Sequence, residues 1–139
     1  MAIQIVVGSW ADLQQDAKNI REQVFIQEQN IASADEWDDL DALSIHFVLY
    51  QRDQAVATAR LLADDSIGRV AVLKTARGQG LGGQLMQSVL DYAKQQGRCN
   101  VHLSSQVHAM AFYQRLGFQV QGEQYFDCNI PHIQMQLML

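Results

Sequence analysis

The segment VAVLKTARGQGLGG, residues 70–83, constrains this chain more than any other. An apolar run that is typical of a buried strand leads into a glycine-rich loop, and a helical pattern begins directly after it. Unpaired backbone N–H groups and the positive end of a helix dipole meet at such a junction, where they can hold a pyrophosphate. Glycine lets the backbone approach a ligand closely. We therefore expect an anion-binding loop here, with local positive charge from Lys74 and Arg77.

Length and charge narrow the class of protein. The 139 residues predict a single domain, 1–139, so one domain must hold both cofactor and substrate. Ten basic and fifteen acidic side chains give a net charge of -5, which argues against a nucleic acid partner. An anionic cofactor would therefore need a local binding device, because the field of the whole protein repels it.

Nothing in the sequence indicates export, a membrane or a metal. The N-terminal residues MAIQIVVGSW lack a basic start and a cleavage site, and no apolar stretch approaches the roughly 20 residues that span a bilayer. We expect a cytoplasmic protein with no membrane partner. Cys99 and Cys128 do not have metal-ligand spacing, so we also expect no metal and two reduced cysteines.

The periodicity of apolar residues predicts an α/β (α+β) fold with a mixed, mostly antiparallel sheet flanked by helices, in the order β-α-β-β-β-α-β-α-β-β. Helices are predicted from Ser9 to near Gln29, from Gly80 to Gly97 and over 107–116. The predicted strands are 3–7, 44–50, 54–62, 68–73, 100–105, 118–124 and 132–138. The last strand is a candidate for pairing across a homodimer.

Two other interpretations of the glycine loop need weighing. Gly78, Gly80 and Gly83 satisfy the G-x-G-x-x-G pattern of dinucleotide-binding oxidoreductases. That pattern belongs in a first βαβ unit with an acidic residue about 20 positions later, whereas here it follows a predicted antiparallel meander. The glycines could also do no more than tighten a turn between strand and helix.

Two spaced motifs resemble those of the GCN5-related N-acetyltransferase (GNAT) superfamily. RGQGLG at 77–82 resembles the R/Q-x-x-G-x-G/A signature, and AFYQRLGF at 111–118 resembles the second hallmark, a short helix carrying a tyrosine before Gly-Phe. REQVFIQEQ at 21–29 and NIPHIQM at 129–135 are similar to the ElaA-like branch. That branch usually has glycine where Asn129 stands, a departure that concerns the substrate pocket.

The resemblance implies acetyl-CoA as co-substrate, lying between splayed strands at 68–73 and 100–105. Backbone groups of the first strand would pair with the pantetheine arm, and the glycine loop would hold the pyrophosphate. Gln106 stands where relatives often place an asparagine that contacts pantetheine. The implied cofactor-binding residues are Val70, Ala71, Val72, Arg77, Gly78, Gln79, Gly80, Leu81, Gly82, Gly83 and Gln106.

The implied reaction is direct attack of an amine on the thioester. A backbone N–H near Val72 would stabilise the oxyanion. Tyr113 matches the superfamily's tyrosine and would protonate the departing thiolate; the alternative is a core aromatic with no chemical role. Relatives often place a glutamate base on the preceding strand, but that position aligns with Val101, which cannot accept a proton.

A water chain or one of three side chains on the substrate side could replace that base: Glu28, His46 or His102. A lone strand histidine is more often structural than catalytic. The acidic segment, residues 35–41, places five carboxylates around Trp37. It could attract a cationic amine, or it could be an ordinary solvated loop.

The leading hypothesis is thus an N-acyltransferase that acetylates a primary amine of a small molecule or peptide. The alternatives are an acyl-CoA-binding module without turnover and a dinucleotide-binding oxidoreductase.

Overall fold

Short turns divide the first half of the chain into antiparallel strands. Arg52 and Asp53 both have positive φ, as the tight hairpin between the second and third strands requires, and Asp65 has positive φ in the next turn. The computed structural model describes residues 2–139. Its strands are β1 (Ile3–Gly8), β2 (Ile45–Gln51), β3 (Gln54–Leu61), β4 (Ser66–Val72), β5 (Asn100–Gln106), β6 (Gln119–Asp127) and β7 (Ile130–Met138).

The seven strands form one sheet in the order β1-β2-β3-β4-β5-β7-β6. Every neighbouring pair is antiparallel except β4 and β5. The predicted mixed, mostly antiparallel sheet is confirmed. The predicted last strand, however, lies between β5 and β6, so its hydrogen-bonding edges are already paired. The open edges of the sheet belong to β1 and β6, and the proposed route to a homodimer through the last strand is wrong.

Helices cover both faces of the sheet. Ser9 caps the first helix, because its side chain accepts a hydrogen bond from the Asp12 backbone N–H at 3.2 Å. This helix continues as a π-helical segment, Glu22–Glu28, which ends where the sequence predicts. The α-helices are α1 (Trp10–Arg21), α2 (Ser33–Glu36), α3 (Leu81–Gln95) and α4 (Met110–Arg115).

The core has one part on each face of the sheet. On one face, Ala17 and Ile20 of α1 pack with Val48 and Ala71. On the other, α3 and α4 pack on the sheet in a larger cluster that includes Tyr113 and Met135. Apolar area removed from water at these two layers is the main source of stability.

The acidic segment forms buried ion pairs. Arg21, only 1% exposed, donates hydrogen bonds to Glu36 and Asp41 at 2.8 Å each. Arg60 donates to Asp38 at 2.7 Å and to Asp41 at 2.8 Å. The hypothesis of an ordinary solvated loop is therefore wrong for these three carboxylates, because arginines distant in sequence converge on them.

We expect Arg21→Met to destabilise the protein by about 3 kcal/mol, because removing one partner leaves buried carboxylates without full compensation. Urea unfolding measures this change. Arg115→Met is the matched control, since Arg115 is exposed and forms no ion pair within residues 2–139. Its effect should stay within about 0.5 kcal/mol. Equal losses in the two variants would contradict a stabilising role for the buried network.

Candidate active site

A bulge in β4 shapes the centre of the sheet. Arg60 pairs with Gly68 and Thr58 pairs with Ala71, so β4 carries one residue more than β3 over this stretch. Within it, Arg69 has φ +51°. A left-handed conformation costs a residue with a Cβ about 1–2 kcal/mol. Such bulges bend the strand and increase its twist.

The acidic segment holds this bulge in place. Arg69 Nε lies 3.1 Å from Glu36 Oε2. Its terminal nitrogen donates to the Glu36 carbonyl oxygen at 2.8 Å and lies 3.4 Å from Asp38 Oδ2. The strained conformation is therefore fixed from outside the strand, as strained residues at functional sites generally are.

Beyond the bulge, β4 and β5 separate. They pair only as Ser66 with His102 and Ile67 with Leu103. The predicted splay between the strands at 68–73 and 100–105 is confirmed. A cavity of about 670 Å³ lies in this region, with walls from β4, β5, α4 and the π-helical segment. This volume is within the range of small-molecule sites.

Two hydrogen-bonded side-chain pairs connect the π-helical end of the first helix to the walls of the cavity. Gln29 and Gln106 exchange amide hydrogen bonds of 2.8 and 3.3 Å. Glu28 accepts two hydrogen bonds from the Arg77 guanidinium at 2.6 and 2.7 Å. π-Helical turns are frequent at functional sites. Here one brings two adjacent side chains to the end of β5 and to the loop that follows β4.

The Glu28–Arg77 pair changes what each residue can do. The hydrogen bond from Arg77 lowers the pKa of Glu28, so this carboxylate is a weak proton acceptor. Arg77 also donates to the Val72 carbonyl oxygen at 3.0 Å. The positive charge of Arg77 is thus compensated by the Glu28 carboxylate. The sequence instead predicts that this charge is available to a phosphate.

The glycine loop leaves the start of α3 open. Gly78 and Gly80 have φ of +79° and +75°, a conformation that favours glycine. A Cβ at Gly78, Gly80 or Gly83 would meet no atom within 4 Å, and no side chain caps the helix. Gly82 packs closely, since a Cβ there would lie 3.4 Å from the Phe112 ring. The first N–H groups of α3 are therefore accessible to a ligand.

The other residues implied in cofactor binding occupy different positions. Val70, Ala71 and Val72 line the cavity just beyond the bulge. Leu81 is buried, so only its main chain could meet a phosphate. The Gln79 side chain accepts a hydrogen bond at 2.8 Å from Gln51 on β2.

Tyr113 lines the same cavity from α4. It is 8% exposed, and its ring packs edge-on against Phe112 and Phe118 at centroid distances of 5.0 and 5.8 Å. Burial raises the pKa of its hydroxyl above the usual value of 10. This hydroxyl forms no hydrogen bond with any residue from 2 to 139, so its proton is available to a ligand.

The two histidines suggested on the substrate side lie elsewhere. His46 is buried against Trp10, with Nε2 2.8 Å from the Asp41 carbonyl oxygen, and burial lowers its pKa. His102 lies where β4 and β5 still pair, with Nε2 2.9 Å from the Asp64 carbonyl oxygen. Neither lines the cavity. His132 does, although no sequence pattern distinguishes it from other strand histidines.

The family model described as an acetyltransferase (GNAT) domain matches residues 11–139. This chain belongs to the GNAT family. The literal dinucleotide pattern therefore has no dinucleotide-binding fold around it: an antiparallel meander precedes the loop, and the sheet has a single parallel pair.

Similar proteins lie in the ElaA-like branch of the family. YjcF of Bacillus subtilis, an uncharacterised N-acetyltransferase, is 37% identical over 86% of this chain and 89% of its own. ElaA of Escherichia coli is 38% identical over 81% of this chain and 78% of its own. The crystal structure of ElaA matches with a TM-score of 0.86 and 30% identity, and the match covers 97% of this chain and 99% of that one. An acyl-CoA N-acyltransferase structure from Pseudomonas aeruginosa matches with a TM-score of 0.86, 34% identity and the same coverage.

Two further features can be stated for the part of the chain that is described. None of its helices is both long and apolar enough to cross a membrane. It also contains no group of three His, Cys, Asp or Glu side chains arranged to hold a metal ion.

The strain at Arg69 predicts that a glycine variant is more stable than an alanine variant at this position. Arg69→Ala loses the ion pairs and keeps the unfavourable φ, whereas Arg69→Gly loses the ion pairs and relieves it. We expect the glycine variant to be more stable by about 1 kcal/mol in urea unfolding, against the usual preference for alanine. Arg98 is the matched control, because it pairs with Asp65 at 3.1 Å without a positive φ. At position 98 the alanine variant should be more stable than the glycine variant. If alanine is also the more stable variant at position 69, strain at Arg69 is refuted.

Proposed function

We propose that this chain transfers an acetyl group from acetyl-CoA to a primary amine of a small molecule or peptide, by direct attack of the amine on the thioester. The observation that carries this proposal is the opening between β4 and β5, which leads towards an uncapped helix start and has a buried tyrosine in its wall. The name of the Pseudomonas aeruginosa relative, an acyl-CoA N-acyltransferase, supports the same co-substrate.

The proposed CoA site uses main-chain groups in two places. Beyond the bulge, Val70 to Val72 have no strand partner on the β5 side, so they can pair with the pantetheine amides as a strand would. The open N–H groups of the loop and of α3, from Gly78 to Gly83, suit a diphosphate. Gln106 lies at the end of β5, within the same cavity.

The acceptor is proposed to enter at a cavity wall that carries carboxylates. Asp35 and Asp127 line the cavity, and neither forms an ion pair within residues 2–139. Unpaired carboxylates attract a cation, which suits an amine that arrives as an ammonium ion. This supports the substrate-attracting role of the acidic segment for Asp35, while Glu36 and Asp38 support the bulge.

Tyr113 is the proposed acid for the departing thiolate. Its hydroxyl stays protonated at neutral pH because burial raises its pKa, and a backbone N–H near Val72 is the proposed donor to the oxyanion. The tyrosine side chain is anchored by aromatic packing, so the proton is presented from a fixed position.

Ligand binding and turnover test the proposal in two steps. Calorimetry should show that acetyl-CoA binds and NAD does not; binding of NAD alone would overturn the proposal. Thiol release should then exceed the rate without acceptor for at least one member of a panel of alkylamines, polyamines and peptide N-termini. CoA binding with no turnover across that panel would favour the acyl-CoA-binding module.

We expect Tyr113→Phe to lower kcat by about 100-fold, the low end of what a positioned acid contributes, while the Kd for CoA changes less than about twofold. Tyr92→Phe is the matched control: Tyr92 lies on α3 outside the cavity, and its hydroxyl accepts a hydrogen bond from Gln96 at 3.1 Å. Its kcat should equal that of the native protein. An unchanged rate in the Tyr113 variant would remove the acid role.

A further inference from the structure

His132 is a buried histidine in the wall of the cavity. It lies on β7 and is 9% exposed. Its cross-strand neighbours are Gln106 of β5 on one side and Tyr125 of β6 on the other, both directly opposite in register. Directly opposed residues share a face, with Cβ atoms about 4.5–5.5 Å apart. His132 therefore stands beside the end of β5, at the margin of the splay.

Hydrogen bonding selects one tautomer of this ring. Nδ1 lies 2.7 Å from the Ile130 carbonyl oxygen. A carbonyl oxygen only accepts, so Nδ1 carries the hydrogen and donates it. In the neutral ring, Nε2 then has a free lone pair. Nε2 forms no hydrogen bond with any residue from 2 to 139.

The orientation of the ring is also fixed. It stacks on Tyr125 with centroids 6.1 Å apart and an interplanar angle of 25°. The Tyr125 hydroxyl in turn accepts a hydrogen bond from Gln134 at 2.8 Å and is hydrogen-bonded to Ser104. A base needs such positioning, because proton transfer depends on geometry before it depends on pKa.

His132 and Tyr113 approach the cavity from opposite faces of the sheet. Met135 of β7 packs in the same core as Tyr113, and side chains alternate along a strand, so His132 points to the other face. That face carries the π-helical segment, as the bond from Gln106 to Gln29 shows. Acetyl transfer to an amine needs an acid at the sulfur and a base at the nitrogen, on different sides of the carbonyl.

Other ionisable groups in the cavity wall are less suited to this role. Glu28 and Glu36 are held in ion pairs with arginines. Burial and nearby carboxylates raise the pKa of the Cys128 thiol, so it is mostly protonated. Asp35, Asp127 and His108 are exposed, so they lack the burial of His132.

We propose that His132 is the general base of the acetyl transfer, an assignment that rests on the proposed function. Nε2 takes a proton from the acceptor ammonium group and passes it to solvent. The freed lone pair forms the C–N bond at the thioester carbonyl carbon, and collapse of the adduct breaks the C–S bond. The thiolate takes the proton of Tyr113, which is replaced through solvent by the second proton that the nitrogen loses.

The test compares His132→Asn and His132→Gln with His102→Gln. An asparagine amide can keep the donor to the Ile130 carbonyl while lacking Nε2, and His102 is a strand histidine outside the cavity. With the best alkylamine of the panel, we expect kcat/KM to fall about 100-fold in both His132 variants, with the Kd for CoA unchanged within about twofold. His102→Gln should match the native protein. In His132→Ala, imidazole added to the buffer should restore part of the rate.

Each outcome decides one of the two proposals. A fall in kcat/KM of less than about threefold in both His132 variants would overturn the assignment. Weakened CoA binding, or a loss of rate that imidazole does not restore, would also overturn it, because either result indicates a structural role. Failure of the native protein to acetylate any amine would instead overturn the proposed function, on which the assignment depends.

Discussion

The opening between β4 and β5 depends on one strained residue. Arg69 in its left-handed conformation inserts an extra residue into β4, and the pairing of β4 with β5 ends immediately before it. A regular β4 could continue the ladder to the end of β5 and would leave no room for a ligand in the sheet. The strain is offset by contacts with Glu36 and Asp38, so the buried ion pairs of the acidic segment serve the site as well as stability.

The π-helical end of the first helix borders that opening, because Glu28 and Gln29 line the cavity. Glu28 and Gln29 are adjacent in sequence but reach opposite sides, one to Arg77 and the other to Gln106. Arg77 also occupies the Val72 carbonyl oxygen. A pantetheine arm that pairs with this part of β4 must share that carbonyl with Arg77 or displace it. In the proposed CoA complex, binding would therefore be coupled to the position of the first helix through the Glu28–Arg77 pair. Salt would weaken this pair, because it is partly exposed.

The predictable parts of this structure are those set by local patterns. Alternation and turn residues such as Arg52 and Asp53 locate the meander, and the glycine loop locates the start of α3 within a residue. The bulge could not be foreseen, because an arginine carries no local signal for positive φ and its partner Glu36 lies 33 residues away. For the same reason the sequence left open whether the acidic segment attracts an amine or is an ordinary solvated loop. The turn at Cys128 and Asn129 was also missed: strands continue to Asp127 and from Ile130, where a longer loop was expected.

Histidines show most clearly where sequence patterns stop. Three histidines lie on strands, and only the register of the sheet distinguishes their locations. His46 lies in the region of buried ion pairs, His102 lies beside a turn, and His132 lies in the cavity wall.

Most arginine side chains of this protein are already used within the fold. Arg21, Arg60, Arg69, Arg77 and Arg98 are all held in ion pairs. In the proposed CoA site, recognition of the diphosphate would therefore depend on main-chain amides at the start of α3, with Lys74 as the nearby cation in sequence. Such a site would be set by backbone shape, so it would tolerate the net charge of -5 as long as Gly78 and Gly80 keep their positive φ.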